Sequence, residues 1–241
     1  MSGRFLKCAL FFLGLLAAFV PVNPAVAALI SIDITATISR IDDTNGFLTG
    51  HIGVGDIIYG TYIYETTTAD TNGLSEVGDY RHTTAPFGIT LEVNEYLFRT
   101  DPSDVDFLVE ICNDHNNNHD AYLLRSYSNL FDISVPLGDP SVTWSRENHI
   151  SWQLTDFLTH TALASTAGTV LPTMPPVLSD WPDNSLTISS QQIIGGSQLF
   201  WISADVTSAV LSPTPTPEPA TMLLLGLGLM GLAGARRKIQ E

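Results

Sequence analysis

The sequence predicts an all-β protein: an antiparallel β-sandwich of the jelly-roll kind, flanked by an N-terminal signal helix and a C-terminal hydrophobic helix. Three observations predict it. Between residues 28 and 212 apolar and polar side chains alternate in short runs, the period of a half-buried strand. Turn residues separate those runs: Asn45-Gly46, Asn72-Gly73, Asp101-Pro102 and Gly138-Asp139-Pro140. No stretch within those limits holds a clear helical period, and many short strands with frequent turns make a sandwich or barrel.

In chain order, residues 1–27 read as a secretory signal. Arg4 and Lys7 supply the positive start, and Cys8 to Val20 is an apolar run of thirteen residues. Ala25-Val26-Ala27 then fits the small-x-small cleavage rule, with Ala28 as the mature start.

Eight candidate strands follow: Leu29–Ser39, Asp56–Tyr64, Ile89–Val93, Phe107–Ile111, Ala121–Tyr127, His149–Leu154, Ser185–Ser189 and Gln198–Val206. In the first, Ile30, Ile32, Ile34, Ala36 and Ile38 share one face. Asp156 is placed to cap a short helix within 155–168. Leu171 to Asp183 carries four prolines and reads as a crossover loop, with Trp181 either a lid on the core or an exposed ring for stacking on sugar. Asp43-Thr44-Asn45-Gly46 recurs as Asp70-Thr71-Asn72-Gly73, but the flanks differ and each tetrad is a turn by itself.

Residues 28–212 hold five Arg, no Lys and 23 Asp+Glu, a formal charge of −18. Such a field repels nucleic acid and anionic lipid. Cys8 leaves with the signal, so Cys112 stands alone and no internal disulfide can form. Cys112 ends an apolar alternation and reads as a small buried hydrophobe.

One polar stretch has the chemistry of a cation site: Asn113-Asp114-His115-Asn116-Asn117-Asn118-His119-Asp120. Its oxygens suit Ca²⁺, with Asp114, Asn116, Asn118 and Asp120 as candidate ligands. It is not an EF-hand: counting from Asp114, position 6 is His119 and position 12 is Arg125, where Gly and Glu are required. A solvated strand connection explains the same composition. Asp101, Asp104 and Asp106 belong at the opposite end of the hairpin. Hydrolase, phosphate-loop and dinucleotide motifs are absent from the sequence, so no cofactor and no catalytic residue is assigned.

The chain closes on three consecutive features. Prolines at 213, 215, 217 and 219 make an extended spacer over 213–219. An uncharged Leu/Gly-rich run follows from Ala220 to Ala235, and then Arg236-Arg237-Lys238. The cations resist crossing a bilayer and stay on the cytoplasmic side. Sixteen residues at about 1.5 Å each reach about 24 Å, short of a ~30 Å hydrocarbon core. By itself this could be a permanent membrane anchor.

Pro217-Glu218-Pro219, the short Leu/Gly-rich span and the terminal basic cluster together resemble the PEP-CTERM sorting signal of Gram-negative bacteria. The resemblance implies recognition and processing by exosortase, a membrane protease-transpeptidase, and a place in the envelope or in extracellular polysaccharide. Residues 60–70, 78–80 and 85–87 also resemble the β-rich body common among such proteins, which implies no particular activity. The expected function is an exported envelope or matrix protein, structural or glycan-associated. It would be held in the inner membrane by its tail and then released to the surface or matrix. The alternative is a secreted carbohydrate-active hydrolase using a carboxylate pair.

Overall fold

The computed structural model of the chain describes residues 28–115, 119–132, 146–164, 168–192 and 198–213. The expected signal (1–27) and the tail beyond 213 lie outside the described residues, as do Asn116, Asn118 and Gly138-Asp139-Pro140. Eleven strands form: β1 (Leu29–Asp42), β2 (Ile57–Glu65), β3 (Val77–His82), β4 (Gly88–Val93), β5 (Tyr96–Thr100), β6 (Phe107–His115), β7 (His119–Ser126), β8 (Asn129–Phe131), β9 (Arg146–Asp156), β10 (Asp183–Gln192) and β11 (Gln198–Leu211). Among the described residues the only helical turn is a 3-10 turn at Leu178–Asp180.

All eleven strands belong to one antiparallel sheet, ordered β3-β6-β7-β9-β10-β11-β1-β2-β4-β5-β8. Hydrogen bonding runs through it without a break, where the sequence reading expected two separately bonded sheets. The physical cause is the apolar face. The strands present a row of Ile, Leu, Val and aromatic side chains to one side, and among the described residues there is no helix to cover it. Open sheets beyond about ten strands curl, and this one curls into a half-barrel so that its apolar face covers itself. Register shifts between Thr35 and Ala36 and between Ile38 and Arg40 on β1 sharpen the twist at mid-sheet.

Contacts across the interior show the curl. Tyr62 on β2 and Tyr122 on β7 stand five strands apart in the sheet, yet their hydroxyls meet at 3.1 Å. The Trp152 ring of β9 packs edge-on against both, at 5.8 and 6.0 Å between centroids. Thr100 on β5 reaches Ser126 on β7 at 2.8 Å. The outermost strand β8 returns to β9 through the side chains of Asn129 and Asn148, each of which donates to the other's backbone carbonyl. The core therefore lies inside the curl, with Ile32, Ile34, Ala36 and Ile38 of β1 on its floor as their alternation requires. Cys112 is buried in a small satellite cluster with Val77, Ala121 and Leu123 on the outer face of β3-β6-β7.

Each of the eight expected strands is present. β3, β5 and β8 are additional. The stretch after Asp156 is not a helix: residues 157–160 are bends, and Phe157 and Leu158 point into solvent. Asp156 does cap, but it caps a loop.

Candidate functional site

One end of the half-barrel gathers most of the chain's unusual chemistry. There β1 begins, β11 stops, and three connections meet: 66–76, the β6–β7 turn, and 157–182. Ser212 donates its backbone N–H to Ser31 at 2.9 Å, so the chain leaves the core beside the start of β1.

Buried carboxylates build this end. Asp156 accepts the backbone N–H groups of Leu158, Thr159 and Thr161 and the Thr159 hydroxyl. Burial pushes its carboxyl up, but the Thr159 hydroxyl and those three N–H groups outweigh burial and hold it well below the ordinary carboxylate range. A depressed folded-state pKa adds stability that is complete above the unfolded value near pH 4 and is lost as pH falls below it. His82 acts in the same sense at higher pH. It is buried between the Phe87 and Phe107 rings, and burial lowers its pKa despite backbone partners that raise it. The unfolded chain therefore takes up a proton more readily as pH drops below about 6.5. We expect stability to fall in two steps on acidification. Urea melts of Asp156→Asn should show a weakened dependence below pH 4, and an unchanged slope there would remove Asp156 from the account.

Asp120, the second residue of β7, is fully buried. One oxygen accepts the N–H of Asp114 and the other the N–H of Leu163, each at 2.9 Å. It ties the β6–β7 turn to the 157–164 loop. Asp114 has a positive φ of 55°, at a register shift that starts after Cys112. Asn113 donates from its amide to the carbonyls of Ala164 and Gly168. Tyr64 and Tyr80 hold the Pro-rich segment from below, donating to the carbonyls of Pro172 and Thr169 at 2.7 Å. Gly78 permits this approach, since a Cβ there would stand 2.6 Å from the Thr169 carbonyl oxygen.

Beneath the Pro-rich segment lies a cavity of about 430 Å³, lined by Ile111, Tyr122, Leu163, Leu171, Met174 and Trp181 among others. Trp181 is a wall of it and only 6% exposed, so its ring covers the core and is not presented to solvent. Asp180 is the one carboxylate among the described lining residues. Tyr122 is part of the lining and its hydroxyl meets that of Tyr62 at 3.1 Å; burial raises both phenols well above the usual range.

A second site lies on the outer face of β1-β2-β4. Tyr59 is 63% exposed there and stands opposite Thr35 on one side and Glu92 on the other. With Asp33, Thr61 and Thr90 these residues line an open depression of about 410 Å³. Asp33 accepts hydroxyls from Thr61 at 2.7 Å and Ser212 at 2.6 Å.

Of the expected Ca²⁺ ligands, Asn116 and Asn118 lie outside the described residues. Asp114 and Asp120 are brought together, but through the hydrogen bond above, which engages Asp120 with backbone. Among the described residues no group of three or more His, Cys, Asp or Glu is placed to hold a metal ion. His115 and His119 face each other across the turn with rings at 5.6 Å. Cys112 lies against Glu110, and burial with that carboxylate pushes its thiol up to about 12, the opposite of a nucleophile's tuning. Asp101, Asp104 and Asp106 are at the far end of the β6–β7 hairpin, where Arg81 grips Asp106 with two bonds of 2.7 and 2.9 Å. Neither the cavity nor the Tyr59 depression was marked by a motif. The exposed face of β2 carries Tyr59 and Thr61 as an ordinary alternation, and the cavity is built by residues far apart in sequence.

Residues Ala25, Ala27, Ala28, Pro217, Glu218, Pro219, Arg236, Arg237 and Lys238 carry the expected processing signals, and of them only Ala28 lies among the described residues. Among the described residues no helix is long and apolar enough to cross a membrane. Residues 215–238 match the family model of the PEP-CTERM protein-sorting motif. The chain thus carries the signal of a protein sorted to the cell exterior through exosortase. No match to the chain was found among curated proteins or among solved structures.

Proposed function

We propose that the chain is a non-enzymatic envelope or extracellular-matrix protein that associates with polysaccharide once its tail has delivered it. The mature protein starts at Ala28. The core extends to residue 212, the spacer occupies 213–219, and residues 220–241 hold the chain in the inner membrane before release, with Arg236, Arg237 and Lys238 on the cytoplasmic side.

The observation that carries the polysaccharide reading is Tyr59. A tyrosine ring that is 63% exposed in an open depression offers an apolar plane to the C–H side of a sugar ring. Asp33, Glu92, Thr61 and Thr90 around it offer acceptors and donors to sugar hydroxyls. The hydrolase alternative draws on the same two carboxylates. It is less well supported: strand β2 stands between Asp33 and Glu92, and Asp33 is already held by two hydroxyls. Binding of the secreted protein to the host's own exopolysaccharide tests the proposal. Tyr59→Ala should weaken binding about tenfold, corresponding to about 1.4 kcal/mol, with polysaccharide length unchanged on prolonged incubation. Undiminished binding by Tyr59→Ala would sink the site, and shortened polymer would favour the hydrolase.

A further inference from the structure

We propose that the end of the core from which the tail departs is a membrane-facing surface, seated on the zwitterionic bilayer that holds the tail until release. This rests on the reading of residues 220–241 as a membrane segment.

Three side chains of the Pro-rich segment line the cavity and yet point outward: Val170 at 72% exposed, Met174 at 61% and Val177 at 61%. They form an apolar rim in front of an apolar cavity. Rims of this kind mark interaction surfaces.

Position identifies what covers it. The 3-10 turn at Leu178–Asp180, directly after Val177, packs against β11. Strand β11 then leads through Ser212 into the spacer, so rim and chain exit share one end. Residues 213–219 span at most ~25 Å even when fully extended. A core tethered so closely to a bilayer spends its time against it, and the effective concentration of the surface is high. With the rim seated, the spacer emerges along the bilayer surface, where a membrane enzyme can reach it.

Charge selects the lipid. Residues 28–212 carry 23 acids against five cations, and Asp180 stands among the cavity's lining residues. An anionic surface would repel this end, whereas a zwitterionic one accepts Val, Met and Val side chains without that penalty.

The test uses residues 28–241 reconstituted into phosphatidylcholine vesicles, with a nitroxide on Val177→Cys or, as control, on Val54→Cys in the connection at the opposite end. Both positions are exposed, and the buried Cys112, its thiol raised to about 12, does not compete for the label at neutral pH. The protein should float with the vesicles. The Val177 label should collide several-fold less often with a water-soluble nickel complex than the Val54 label. A floating protein with both labels equally accessible overturns the surface and leaves the tail reading intact. A protein that does not float overturns both. A Val177 label protected in a chain that stays in solution shows the tail itself in the cavity. Spin–spin coupling between Val177 labels shows a second copy there. Either of these last results contradicts the proposal.

Discussion

Trp152→Ala should lower the melting temperature of the secreted protein by about 6–20 °C. The side chain is fully buried in β9. It packs edge-on against Tyr62 and Tyr122, and its indole N–H donates to Asn184 at 3.0 Å. Removing a buried Trp costs about 3–5 kcal/mol, from lost transfer energy and from the cavity left behind. For a domain of this size 1 kcal/mol is about 2–4 °C. The effect should also extend beyond local packing, because Trp152 is the ring against which strands five apart in the sheet are brought together. Trp201→Ala is the comparison: that side chain is partly exposed on the outer face of β11, and its loss should shift the melting temperature by only a few degrees. Equal shifts for the two variants would mean that the curl is not held where the geometry places it.

The strands were legible and the curl was not. β1 could be read because its inward set of Ile32, Ile34, Ala36 and Ile38 is uninterrupted and two residues apart. β5 was hidden by its turn. Asn94 and Glu95 form a two-residue hairpin with φ of 47° and 74°, and Glu is not a residue that announces such a conformation. β8 has three residues, too few to show a period. Whether strands close into one sheet or two depends on pairings between distant segments, such as Asn129 with Asn148, which no local pattern encodes. Asp156 was legible as a cap, and what it caps was not. Its three backbone donors belong to a loop whose shape is fixed partly by Asp120, some forty residues earlier.

The tail is the opposite case: its meaning is entirely in the sequence. Prolines at 213, 215, 217 and 219 remove backbone donors from the spacer, and among the described residues the core hydrogen bonds run as far as Ser212. Glu218→Ala should therefore leave the core's melting temperature unchanged within about 1 °C, since the proline pattern reads as an extended spacer outside the core and substitutions outside packed regions are nearly neutral. Its effect should fall on sorting. Pro217-Glu218-Pro219 is the part of the matched motif that stands ahead of the apolar run. The variant should move from the extracellular fraction to the membrane fraction of a host that has exosortase, an effect of tenfold or more on the released amount. The unaltered protein should be trapped in the same way in a host without exosortase. A Glu218→Ala protein released as efficiently as the original would show that this glutamate is not read.

The most direct measurement is the intact mass of the protein recovered from each fraction of its native host. Extracellular protein should begin at Ala28 and have lost the apolar run and the basic cluster Arg236-Arg237-Lys238, with full-length tails confined to the membrane fraction. If all of the protein is found in the membrane with Glu241 still in place, the tail is a permanent anchor and the sorting account is wrong.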